Sequence, residues 1–230
     1  MREIVFDTET TGLSFAGGDR LVEIGCVELF NRCETGEIFH AYFHPERDMP
    51  EEAARVHGLR AEFLARHPVF TAGADDLMAF IADAPLIAHN AHFDFSFLNG
   101  ELARCGRDLV CLSRMIDTQA IARQRHPGAK HSLDALCSRY GIDRSHRVQH
   151  GALLDAHLLA QVYVELMGGR QIGLTLVSDA PAATPLATAS SIARAVRPPR
   201  RFAVLEGDKA RHRAFLQTVV APLWGEVAAG

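Results

Sequence analysis

This sequence contains no Cys-x-x-Cys pair, no run of 18 apolar residues, a single tryptophan and no surplus of basic side chains. Each absence narrows what the chain can be. Five cysteines (Cys26, Cys33, Cys105, Cys111 and Cys137), odd in number and without paired spacing, argue against a disulfide framework and against a thiolate metal site; free thiols, mostly buried, are expected. The lack of a long apolar run argues against a membrane span. Glu3 and Asp7 also stand where a secretory signal would carry a basic start and an unbroken apolar stretch, so a soluble cytoplasmic protein without membrane contact is expected. The formal charge of -4 argues against coating nucleic acid by bulk electrostatics. Nucleic acid as a substrate stays open, because cations gathered by acidic side chains can face a phosphate.

What is present is ordinary globular composition: 230 residues, 48% hydrophobic and 23% charged, enough for one sizeable core and an appendage. Alternation predicts strands over 2–9, 21–29 and 37–43, with a polar connection through 31–36, which makes an antiparallel meander. Helical periodicity follows over 70–82, 95–104, 114–125, 133–140 and 152–167, with a short apolar strand over 85–88. Strands followed by alternating helix and strand imply a mixed α/β sheet with helices on its faces. Gly168 and Gly169 end the last strongly periodic segment and set a boundary, giving a domain over 1–169. Residues 170–200 contain a stretch rich in Ala, Pro, Ser and Thr that reads as a flexible linker. The tail over 201–230 regains hydrophobicity, with Phe215, Leu216, Val219 and Val220 at helical spacing and the lone Trp224, a face suited to burial against a partner.

Three islands join acids to histidine or asparagine beside apolar runs. In DTETTG, Asp7 and Glu9 end an apolar strand and, two residues apart, point to one side of it. A strand running into a polar turn accounts for these residues equally well. In LIAHNAHFDFSFL, His89 and Asn90 end a short strand and Asp94 opens a helix, where an acid also serves as a cap or dipole partner. In HGALLDA, His150 and Asp155 are five residues apart, about 140° around a helix, so they share a site only if His150 lies on the loop before the helix; Gly151 is expected to ease that bend. By the same spacing His157 faces away from Asp155. Four carboxylates with one histidine suit two-metal phosphodiester hydrolysis. Two Mg²⁺-like ions about 3.5 to 4 Å apart stabilise the attacking and leaving oxygens, and a neutral imidazole takes the water proton.

DTETTG, HNAHFD and HGALLDA, in this order, resemble the three motifs of the DEDDh family of 3'-5' exonucleases. The resemblance implies an RNase H-like fold, a mixed five-stranded sheet flanked by helices, with Asp7 and Glu9 on its central strand and Asp155 on its last core helix. It implies that Asp7, Glu9, Asp94 and Asp155 hold two divalent ions, Mg²⁺ or Mn²⁺, with Asp7 bridging both, and that His150 is the general base. Thr10, Thr11 and Leu13 would contact the terminal nucleotide, with Leu13 as a wedge against its base. His57, in VHGL, would close over that nucleotide with Glu52 upstream, and His89 and Asn90 would line the same substrate site. RHPGAKHSLDALCSRYGID and GGRQIGLTL further resemble members that proofread for replicative DNA polymerases. That likeness implies a DNA 3' end as substrate and a sliding-clamp peptide at Gln171, Leu174 and Leu176. It also implies a tail that binds the polymerase catalytic subunit through Phe215, Leu216 and Trp224. Stand-alone RNA processing or repair by the same chemistry, and a non-catalytic clamp-polymerase adaptor, are the rival expectations.

Overall fold

The computed structural model describes residues 1–145, 149–169 and 204–219. The chain divides into two units, Met1–Leu176 and Val177–Gly230. The first is built on a sheet of β1 (Arg2–Thr10), β2 (Leu21–Phe30), β3 (Cys33–Tyr42), β4 (Leu86–Ala88) and β5 (Met115–Asp117). The spatial order is β3-β2-β1-β4-β5, antiparallel through the first three strands and parallel from β1 through β4 to β5. This is the expected mixed five-stranded sheet, with β1 at its centre.

The apolar run of β1 is explained by burial on both faces. Ile4 and Phe6 pack with Leu77 and Ile81 of α3 (Phe70–Ile81) and with Phe95 and Leu98 of α4 (Ala91–Arg104). Val5 points the other way, into Leu159, Ala160 and Tyr163 of α7 (Ala152–Leu166). The odd-numbered side of β1 therefore faces α7. At its near end Glu3 is buried and accepts a hydrogen bond from the Tyr163 hydroxyl at 2.7 Å. At its far end stand Asp7 and Glu9.

Some expectations need correction. Residues 115–117 lie in β5 rather than in a helix from 114, because they pair in parallel with Leu86–Ala88 and Asp117 caps α5 (Thr118–Arg125) by accepting the Gln119 amide at 2.9 Å. The helix expected from 95 starts at Ala91, after Asn90 takes a left-handed conformation at φ 64°. Two helices, α1 (Glu51–His57) and α2 (Ala61–Leu64), are each too short to show a period. The α6 helix (Leu133–Tyr140) has the expected bounds. Gly151 is extended at φ -156°, ψ 128°, a conformation open to any residue, so the chain enters α7 without glycine's special freedom.

In the second unit, α8 (Glu206–Leu216) is exposed from Glu206 through Phe215, with Leu216 half-buried. Gln171, Leu174, Leu176, Val220 and Trp224 lie outside the described residues. No described helix is long and apolar enough to cross a membrane.

Candidate active site

One close contact seats the acids. Gly25 of β2 pairs with Asp7 in register, and a Cβ added there would lie 2.3 Å from the backbone N and Cα of Leu153. The first turn of α7 thus rests on the sheet beside Asp7, which sets Asp155 over the odd-numbered side of β1. His150 lies on the loop before the helix, as its spacing from Asp155 requires. Its amide donates to the Val56 carbonyl at 3.3 Å, and its Nδ1 is 3.1 Å from Asp155 Oδ2. One side-chain atom from each of Glu9, His150 and Asp155 fits within a 4.8 Å separation, a grouping suited to a metal ion.

Asp94 reaches the same cleft from the first turn of α4. It is buried and accepts a hydrogen bond from Thr8 Oγ1 at 2.7 Å. Burial pushes its carboxyl up to about 7, against the opposing pull of the Thr8 hydroxyl and nearby backbone amides. The cleft, about 300 Å³, is lined by Asp7, Glu9, Asp94, His150 and Asp155, together with Thr8, His89, Phe93, Gln119, Ser132 and Leu133. A larger cleft of about 740 Å³ lies on Arg32, Cys33, Glu34, Ile142, Gln161, Val164 and Glu165. It lacks such a gathering of buried acids, and chemistry rather than size selects the smaller one.

The raised Asp94 carboxyl has a signed consequence. Between its ordinary value near 3.8 and about 7, the folded protein holds a proton that the unfolded chain has lost, so this group's contribution to stability falls as pH rises through that window. A cation requires the ionised carboxylate, so its binding should strengthen as pH rises toward and past 7. We expect added Mn²⁺ to raise the Tm more at pH 8 than at pH 6. An equal shift at both would show that no cation binds through the Asp94 carboxylate.

The other expected residues fall into distinct settings. Leu13 is 86% exposed on the loop after β1. That loop is held by Thr10 Oγ1 donating to the Gly12 carbonyl at 2.6 Å and by Thr11 Oγ1 accepting the Arg20 amide at 2.9 Å. Arg20 is itself fixed by a buried two-bond pair with Glu101, at 2.6 and 2.8 Å. The Thr11 side chain is therefore turned into the loop. His57 is buried, its Nδ1 accepts the Leu59 amide at 3.0 Å, and its Nε2 has no hydrogen-bond partner among the described residues. Burial holds its imidazole below the usual range, so the neutral ring carries its proton on Nε2. Glu52 is exposed in α1. His89 lines the cleft with both nitrogens engaged, Nδ1 at 2.9 Å from Thr118 Oγ1 and Nε2 at 2.7 Å from the His131 carbonyl. Asn90 donates its amide to Asp117 Oδ1 at 3.1 Å and exposes its side chain. His157 pairs with Glu34 at 3.1 Å, as a surface histidine would.

Sequence reasoning missed Thr8, Phe93, Gln119, Ser132 and Leu133. Only Thr8 carried a signal, since it lies between two acids on a strand and must point to the opposite side of the sheet, where Asp94 meets it.

A mixed five-stranded sheet whose central strand ends in acids, covered by a helix bearing a further acid, defines an RNase H-like nuclease architecture. A family model described as an exonuclease (RNase_T) matches residues 4–163, and the chain belongs to that family. Among its relatives, "DNA polymerase III subunit epsilon" of Rickettsia conorii is 52% identical over 191 residues, 82% of this chain and 83% of that one. The protein of the same name from Salmonella typhimurium is 42% identical over 228 residues, 95% of this chain and 93% of its own. Among solved structures, exonuclease X in complex with 5' overhanging duplex DNA superposes with a TM-score of 0.56 at 24% identity, covering 71% of this chain and 90% of that one.

Proposed function

We propose that this chain is a 3'-5' exodeoxyribonuclease that proofreads as a subunit of the replicative DNA polymerase, releasing nucleoside monophosphates from a DNA 3' end. One observation carries the reading: Asp7, Glu9, Asp94, Asp155 and His150 line a single cleft in a chain closely related to epsilon subunits. The donor set fits hard divalent cations, which favour carboxylate oxygens, and Asp7, Glu9, Asp94 and Asp155 would hold two ions, Mg²⁺ or Mn²⁺. Bound there, the ions would supply Lewis-acid stabilisation of the attacking and leaving oxygens. His150 is the general base. Asp155 accepts from Nδ1–H, which fixes the tautomer and leaves Nε2 with a lone pair, on a side chain 47% exposed, to take the proton of the attacking water.

Leu13, exposed on its braced loop, meets the terminal base as a wedge, with Thr10 and Thr11 shaping the loop beneath it. His57 presents a buried N–H toward the nucleotide, with Glu52, His89 and Asn90 completing the substrate site. A mismatched end frays more readily than a paired one and delivers the single strand that such a site accepts. Residues 1–169 act as the nuclease domain, Gln171, Leu174 and Leu176 as a sliding-clamp peptide, and 201–230 as the polymerase-binding tail. A linker of about 25 residues spans roughly 25 to 30 Å, so tethering keeps the nuclease near the primer end without strong intrinsic affinity for DNA.

The decisive experiment gives the full chain Mg²⁺ and three substrates of one sequence: a primer with a 3' mismatch, the matched primer, and single-stranded RNA. Monophosphate release should be fastest from the mismatched DNA, and the chain should co-purify with the polymerase catalytic subunit unless residues 201–230 are deleted. RNA degraded as fast as DNA, with no co-purification, would replace this reading with RNA processing.

A further inference from the structure

The cleft is bordered by α5 and by the connection from α5 to α6, since Gln119, Ser132 and Leu133 all line it. From Thr118 to Leu133 the chain carries three fixed cations, Arg123, Arg125 and Lys130, and not one Asp or Glu, in a protein of formal charge -4. The acids at either end of this stretch are occupied. Asp117 accepts the amides of Asn90 and Gln119, and Asp134 pairs with Arg144 at 2.9 Å.

Arg123 stands one turn beyond Gln119 on the same face of α5, about 6 Å farther along the axis, and its guanidinium bonds to the Gln119 side chain. Lys130 is exposed and precedes Ser132 by two residues, at most about 7 Å of chain. Both cations thus adjoin the cleft from successive elements. Arg125, two residues past Arg123, is about 200° around the helix and faces elsewhere. A strand whose 3' end sits among four carboxylates brings a phosphate with every preceding nucleotide, and cations held by those carboxylates are spent on the scissile one. The phosphates before it need positive charge from another source.

Resting on the exonuclease reading above, we propose that Arg123 and Lys130 form a phosphate track that binds the single strand immediately 5' of the scissile phosphodiester. The track places incoming DNA along α5 and the α5–α6 connection. It makes Arg123 and Lys130 positioning residues that act on strand binding rather than on bond cleavage.

Two measurements on the full chain separate the track from the reading beneath it. Anisotropy of a fluorescein-labelled dT oligomer tests the track without turnover. The Arg123→Gln, Lys130→Gln double variant should bind about tenfold more weakly at low salt, and its plot of log affinity against log salt should be shallower by ~1.4, at about 0.7 per single-strand contact. Arg125→Gln, which removes a like charge from another face, should leave that slope unchanged. The second probe is the p-nitrophenyl ester of thymidine 5'-monophosphate, which offers a scissile phosphodiester and no upstream phosphate; the double variant should hydrolyse it at the wild-type rate. An unchanged slope in the double variant, or an equal change in Arg125→Gln, overturns the track. A wild-type chain that leaves the ester intact in Mg²⁺ overturns the exonuclease reading, while the binding slopes still decide the track.

Discussion

Asp155→Ala should lower kcat on a DNA 3' end by at least about a thousandfold and abolish the Mn²⁺-dependent rise in Tm, with little loss of fold in metal-free protein. Asp155 is 2% exposed, and its neighbours across the cleft include Glu9 and His150, with Asp7 beside them on β1. Acids brought this close repel one another in metal-free protein, so removing one relieves repulsion while it removes a ligand. Loss of function without loss of stability is thus the signature of a ligand, whereas a buried acid that merely satisfied the core would cost stability when truncated. Asp7→Ala should behave in the same way. His150→Ala separates the two roles open to the histidine, because its ring could join Glu9 and Asp155 around one ion or take a proton as a base. As the base, it should lose about a hundredfold or more in kcat while the Mn²⁺-dependent rise in Tm persists. If that rise disappears with it, His150 is a ligand. Wild-type turnover in Asp7→Ala or Asp155→Ala would sink the site assignment.

The chemistry was more legible in the sequence than the geometry that serves it. Asp7 and Glu9 could be placed on one side of a strand because the strand period is two, and His150 could be placed off the helix because five residues make 140°. Those inferences need only local periodicity. Met115–Asp117 could not be read as a strand, since three residues carry no period and β5 exists only through its pairing with β4. The α1 and α2 helices run for only seven and four residues, too short to show a period, and His57 is the sole buried residue of α1. His89 was visible as a histidine beside acids. Its partners, Thr118 and the His131 carbonyl, lie 29 and 42 residues away, and no local pattern relates them.

The glycines sharpen that division into an experiment. Gly151 stands beside His150, yet it is extended and a Cβ there would meet nothing within 4 Å. Gly25 sits unremarked in an apolar strand, and a Cβ there would come within 2.3 Å of Leu153 N and Cα and 2.5 Å of the Ala152 carbonyl carbon. Those atoms are helix backbone, which has no rotamer to change, so Gly25→Ala must lift α7 from the sheet or bend β2. Overpacking of this kind costs about 1 to 3 kcal/mol, or a drop of roughly 2 to 12 °C in Tm for a domain of this size. The larger effect should fall on turnover. Gly25 is the register partner of Asp7, and the backbone it would strike is two to three residues before Asp155 and two to three after His150. A shift of about 1 Å there separates the acids of β1 from those of α7, enough to lower kcat about a hundredfold in protein that is still folded at 25 °C. Gly151→Ala should keep Tm within about 2 °C and kcat within about twofold of wild type. Equal tolerance of the two substitutions would mean that α7 is not seated through Gly25. The expected asymmetry would show that the closest constraint on this site is a missing side chain on a neighbouring strand.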